Sequence, residues 1–140
     1  MQKILVAYDD TDPSKRALER AAELAKAFDA TVIVTSVAPL LLGSARSVGP
    51  VDPSDSPEMH EDQLRNAAAT LSAHGIEPEL IPATGDPAAA IARLADEIDA
   101  DLVVVGTREP GVVERVMHHS VSRQVARRVH RDILIVHPGH

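Results

Sequence analysis

The chain has 140 residues, the size of one domain, with 44% hydrophobic residues, no cysteine and a formal net charge of −7. Its apolar fraction is nearly all Ala, Val, Leu and Ile, with one Tyr, one Phe and no Trp, which argues against base-stacking nucleic-acid modules and aromatic sugar platforms. The acidic balance repels phosphate backbones and anionic lipid surfaces, and without Cys there is neither a disulfide framework nor thiolate chemistry.

Met1-Gln2-Lys3 leads directly into Ile4-Leu5-Val6-Ala7-Tyr8, a continuous apolar run suited to a strand buried on both faces. No signal-peptide pattern and no run of bilayer length is visible, so a cytoplasmic location with no membrane partner is expected. Asp9-Asp10-Thr11-Asp12-Pro13 follows, with Asp12 expected as N-cap and Pro13 at the first helical position. Ala17, Leu18, Ala21, Ala25 and Phe28 then recur at helical spacing and predict one apolar face. Thr31-Val32-Ile33-Val34-Thr35-Ser36-Val37 reads as a second strand from its β-branched content.

Residues 38–57 hold Pro39, Gly43, Gly49, Pro50, Pro53 and Pro57, which rules out a regular element across the stretch. From Pro57 a second helix is expected, with Leu64, Ala67, Ala68 and Leu71 inward and Gly75 ending it. Glu79-Leu80-Ile81-Pro82-Ala83 is a short third strand whose Pro82 places it at a sheet edge, where a missing N–H costs little. Gly85-Asp86-Pro87 turns into a third helix capped by Asp86, with Ile91, Leu94, Ala95 and Ile98 inward. Asp101 to Gly106 carries a fourth buried strand. A helix from Ser120 with Val121, Val125 and Val129 inward, then the strand Ile133-Leu134-Ile135-Val136, complete the chain. The alternation predicts right-handed crossovers and an open parallel sheet in one α/β domain over residues 1–140.

In such sheets, ligands bind beyond the carboxyl ends of the strands. Asp9, Val37, Gly85 and Gly106 all fall there. Gly106-Thr107-Arg108-Glu109-Pro110-Gly111 has the glycine spacing of a phosphate loop, but Val112-Val113 stand where Lys and Ser/Thr are needed for phosphoryl transfer. Ser120-Val121-Ser122 opens a helix, where hydroxyls and free N–H groups serve either as an anion site or as simple caps. His118-His119 and His137-Pro138-Gly139-His140 lack companions at metal spacing, and His60-Glu61-Asp62 lacks the second His of a zinc-protease helix. No metal is expected. No Gly-x-Ser-x-Gly elbow offers a hydrolase nucleophile.

The order of these pieces resembles the universal stress protein family over essentially the whole chain. Ile4 to Asp9 is similar to the family's opening strand and its acidic residue, and Gly85-Asp86-Pro87 to its Gly-x-Pro turn. Val103 to Arg108 is similar to the start of its nucleotide motif, and Ser120-Val121-Ser122 with Asp132 to Val136 to its closing helix and strand. The resemblance implies a doubly wound five-stranded sheet in the order 3-2-1-4-5 with helices on both faces. It also implies a homodimer paired through Ile133, Leu134, Ile135 and Val136, and a crevice where Asp9 meets Gly106.

The family's nucleotide-binding branch carries Gly-x-x-Gly, nine residues, then Gly-Ser/Thr. Laid on this chain, Gly106 and Ser120 are kept, while Glu109 and His119 replace two glycines. Side chains there crowd the backbone N–H groups that meet phosphate oxygens. The resemblance therefore implies a ligand set of Asp9, Val37, Gly106, Arg108, Ser120, Val121 and Ser122, with ATP or AMP as the ligand. The function it implies is a non-catalytic stress-response dimer with a modified crevice that binds ATP weakly or not at all. An ATP- or AMP-binding regulator is the alternative, and a weak nucleotide hydrolase stands third.

Overall fold

Five strands alternate with four helices in the computed structural model, which describes residues 1–38, 57–107 and 121–138. Strands β1 (Lys3–Ala7), β2 (Thr31–Ala38), β3 (Glu79–Thr84), β4 (Leu102–Gly106) and β5 (Asp132–Val136) form one sheet. Every pairing is parallel and the order is β3-β2-β1-β4-β5, as the resemblance implied. Most of the Pro- and Gly-rich stretch, residues 39–56, lies outside the described residues.

The strands are apolar on both faces because each face is covered. Helices α1 (Asp12–Phe28) and α2 (Pro57–Ala73) cover one side, where Ile4, Val6, Val32, Val34 and Val104 meet Leu18, Ala21, Leu64, Ala67 and Leu71. Helices α3 (Pro87–Ile98) and α4 (Val121–Arg128) cover the other, where Leu5, Ile33, Val103 and Val105 meet Ile91, Leu94, Ala95 and Val125. The Ala-rich helices lie close to the branched strands, and Tyr8 is the one aromatic ring in either cluster.

The helix ends follow local chemistry. Gly75 takes a φ of 77°, while Ile76 N–H donates to the Leu71 carbonyl and Gly75 N–H to that of Ser72. That pair of bonds is a Schellman stop, and Ile76 packs on the same core as Leu71. Helices α1 and α3 stop without glycine: Asp29 and Asp99 accept left-handed φ values of 56° and 58°. Asp86 caps α3 as expected, its carboxylate accepting from Ala89 N–H at 3.0 Å.

Four expectations need correction. Thr11, not Asp12, caps α1: the Asp9 carboxylate accepts from Thr11 N–H at 3.1 Å, which helps hold Thr11 extended, and Asp12 becomes the first helical residue with Pro13 behind it. Phe28 is 54% exposed rather than inward, because it is the last residue of α1 and overruns the strands on which the stripe packs. Val121 is 45% exposed, since the inward stripe of α4 runs through Ser122, Val125 and then Val129. Ile98 is only partly buried, at the end of α3.

The order predicted for the sheet edges is also explained. β3 lies at one edge, and its register with β2 continues on both sides of Pro82, from Thr35↔Ile81 to Val37↔Ala83. The proline nitrogen therefore faces away from β2, where no ladder bond is lost.

Candidate functional site

The sheet reverses its winding between β1 and β4, so a crevice opens beyond their carboxyl ends. Val6 pairs with Val104 and Ala7 with Thr35, so Asp9, Val37 and the Gly106–Thr107 turn leave three adjacent strands at nearly one level. Of the predicted site residues, Asp9, Val37 and Gly106 are thus brought to one end of the sheet. Val121 and Ser122 lie in the first turn of α4, on the α3 side, with Ser122 buried and Val121 outward. Arg108 and Ser120, like Glu109 and His119, lie outside the described residues.

Asp9 is exposed and organises the turn into α1. Its carboxylate accepts from the backbone N–H and the hydroxyl of Thr11, and its own N–H donates to Ser14 Oγ at 3.2 Å. One oxygen, Oδ1, takes both bonds from Thr11. Asp10 follows with a φ of 65°, and its carboxylate accepts from Asn66 Nδ2 at 3.0 Å, tying this turn to α2. Tyr8 lies buried before it; burial, reinforced by a hydrogen bond to Asp10, pushes its phenol far above the ordinary range and keeps it protonated.

Gly106 is fixed by contact with α1. A Cβ at this position would fall inside the van der Waals shell of the Pro13 carbonyl oxygen. No side chain is possible without moving the first turn of α1. Thr107 N–H continues the ladder to the Val136 carbonyl at 3.0 Å, and Arg16 Nη2 reaches the Thr107 carbonyl at 3.4 Å. Arg16 and Thr107 were not singled out from sequence; a basic residue in the second turn of a helix carries no motif. The Asp9-x-Thr11 spacing of an Asx turn was a usable signal for the true cap.

Val37 is half-buried and packs on the α3 face, and the following residue, Ala38, accepts from Gly85 N–H at 2.8 Å. Gly85 takes a φ of 113°, which a side chain would oppose, and so turns β3 into the Asp86 cap. Among the described residues no group of three or more His, Asp or Glu is placed to hold a metal ion, and no helix is long and apolar enough to cross a membrane.

Residues 1–137 match the model of the Universal stress protein family. A universal stress protein of Mycobacterium tuberculosis is 33% identical over 144 residues, covering 96% of this chain and 94% of its own. A universal stress protein solved in complex with cAMP is 30% identical, with a TM-score of 0.76 over 99% of this chain and 98% of its own. One from Archaeoglobus fulgidus is 25% identical with a TM-score of 0.76, covering 97% of this chain and 93% of its own.

Proposed function

The chain belongs to the universal stress protein family, and we propose that it is a non-catalytic stress-response dimer, a single domain over residues 1–140, whose crevice takes an adenine nucleotide weakly. The observation that carries this reading is the meeting of Asp9, Val37 and Gly106 at the switch point of a fold whose 30% identical relative was solved with cAMP. Val37 and Asp9 suit the base and ribose side, and the turn after Gly106 suits the phosphate side. A non-catalytic role is supported by Val112-Val113, which leave the loop without the lysine that phosphoryl transfer uses.

The phosphate side favours fewer charges. Glu109 and His119 occupy two of the three glycine positions, so a triphosphate loses backbone N–H contacts and meets a carboxylate. Two unit charges a few ångströms apart interact by on the order of a few kcal/mol at intermediate dielectric. A monophosphate or cyclic monophosphate presents less charge to that loop than ATP does.

Dimerisation through β5 is part of the same proposal. Of the two sheet edges, β3 carries Pro82, while β5 presents Ile133, Leu134 and Ile135 half-buried with no proline to interrupt a new strand. An apolar edge of this kind recruits a partner.

Calorimetric titration of the full chain with AMP, cAMP and ATP tests the reading, alongside the Glu109→Gly, His119→Gly double variant. The parent should bind AMP or cAMP more tightly than ATP, and the double variant should gain about tenfold or more in ATP affinity, one decade for each ~1.4 kcal/mol. Equal, tight ATP binding by both would overturn it. Loss of binding in the double variant would make Glu109 or His119 a ligand contact and favour the regulator with an altered phosphate loop.

A further inference from the structure

Arg16 has an ordinary partner within reach along the helix and does not take it. Asp12 lies four residues earlier on α1 and is exposed, the spacing at which a carboxylate and a guanidinium pair on a helix surface. Asp9 is spent on Thr11 and Asp10 on Asn66. Among the described residues Arg16 makes no ion pair with any of these three. Its side chain turns instead to the end of β4, where Nη2 donates to the Thr107 carbonyl at 3.4 Å. Its Nε is buried and, among the described residues, has no acceptor.

Nε–H and the neighbouring Nη2–H form one edge of the guanidinium, two parallel donors whose spacing matches two oxygens of a phosphate. Here that edge makes one long bond and leaves a buried, charged donor unpaired, an arrangement that costs free energy until an acceptor arrives. A single carbonyl oxygen cannot satisfy both donors well. A phosphate can, and it is anionic, which matters beside Asp9, Asp10 and Asp12: Arg16 offsets the field with which these carboxylates repel an anion at the same strand ends.

We propose that Arg16 is a specificity-determining residue that makes the crevice select a phosphorylated nucleoside over the bare nucleoside. Its Nε–Nη2 edge takes two oxygens of the phosphate at the exit of β4, in exchange for the long bond to Thr107. This inference rests on the nucleotide reading above and adds to it the side chain that tells AMP from adenosine.

Adenosine and AMP, titrated calorimetrically into the full chain and into Arg16→Gln and Arg16→Lys, decide it. The parent should bind AMP at least tenfold more tightly than adenosine. Arg16→Gln should bring AMP down to the affinity of adenosine and leave adenosine unchanged. Arg16→Lys, which keeps the charge and loses the fork, should fall between. A parallel fall of both ligands in Arg16→Gln would make the residue merely structural and overturn the proposal, as would an unchanged ratio. Should Arg16→Gln fail to fold, judged by its melting curve, the ratio in Arg16→Lys carries the decision: unchanged overturns, reduced supports. Equal binding of adenosine and AMP by the parent overturns this inference while sparing the nucleotide reading. Binding of neither overturns both.

Discussion

Ser36 Oγ, on β2, lies 2.6 Å from His60 Nδ1, on α2, and 2.6 Å from Gln63 Oε1, with all three side chains buried. The hydroxyl has one proton. Given to Gln63 Oε1, that proton leaves Ser36 Oγ to accept from His60 Nδ1–H, so the lone pair of the ring sits on Nε2. That nitrogen is buried and, among the described residues, has no partner. With Asn66 held by Asp10, α2 is thus docked through polar side chains at 60, 63 and 66, which interleave with the apolar stripe of Leu64, Ala67 and Leu71.

Ser36→Ala should therefore destabilise the fold out of proportion to the one oxygen it removes. It leaves His60 Nδ1 and Gln63 Oε1 without their shared partner, at about 1–3 kcal/mol for buried groups left unsatisfied. At this chain length the melting temperature should drop by about 3–10 °C. The triple variant Ser36→Ala, His60→Leu, Gln63→Leu removes every polar member and should cost less than the sum of the single changes. Additive losses in a thermal melt would mean that the three groups act independently.

This network shows where sequence reading stops. The strands themselves, the edge position of β3 and the Asp86 cap were legible because proline, glycine and β-branched runs act locally, whereas the order 3-2-1-4-5 came from the family resemblance alone. His60, met in sequence beside Glu61 and Asp62, suggests only an incomplete metal motif. Its partner is 24 residues away on another element, and nothing local marks the pairing. The same holds for Arg16 and Thr107, 91 positions apart. Asp12 lost the capping role to Thr11 because two acceptors compete at adjacent positions, and the Asp9 side chain favours the nearer one.

Gly106→Ala should also be costly, for a steric reason. The added methyl would meet the Pro13 carbonyl, which is backbone and held by the first turn of α1. Overpacking of this type costs about 1–3 kcal/mol or more. The denaturation midpoint should fall, and nucleotide binding should weaken with it because α1 and β4 flank the crevice. An unchanged midpoint would show that the first turn of α1 can withdraw freely.

Asp101 makes the start of β1 sensitive to acid. Its carboxylate accepts from Gln2 N–H at 2.8 Å and Lys3 N–H at 2.9 Å, and these bonds hold its pKa below the usual carboxylate range. The sign follows from linkage: a group whose pKa is lowered by folding stabilises the fold above its unfolded value and loses that contribution as pH falls through the folded value. The loss should thus begin near pH 4 and deepen below it. Asp101→Asn should flatten the dependence of stability on pH between about 5 and 2, read from urea midpoints. Parallel curves for parent and variant would show that other carboxylates govern the acid limb.

The sharpest prediction for assembly concerns Leu134. It sits in the middle of β5, whose inner edge pairs with β4 through Val104↔Leu134 and whose outer edge has no strand beside it in the described chain. Ile133 and Ile135 pack towards the α3–α4 side and Leu134 towards the α1–α2 side, and all three remain half-exposed, unlike their counterparts Val103, Val104 and Val105 on β4. A second copy laid antiparallel along β5 would cover these side chains and use the free backbone groups, whereas at the β3 edge Pro82 offers no N–H to a partner. Leu134→Lys places a charge in that contact, and an unpaired charge disfavours burial strongly. It should yield monomers by sedimentation while keeping a cooperative melt, since the lysine can reach solvent once the partner is gone. Leu80→Lys, on the exposed β3 edge, should leave the dimer intact. A Leu134→Lys protein that still sediments as a dimer would move the interface off β5, and a Leu80→Lys monomer would place it on β3.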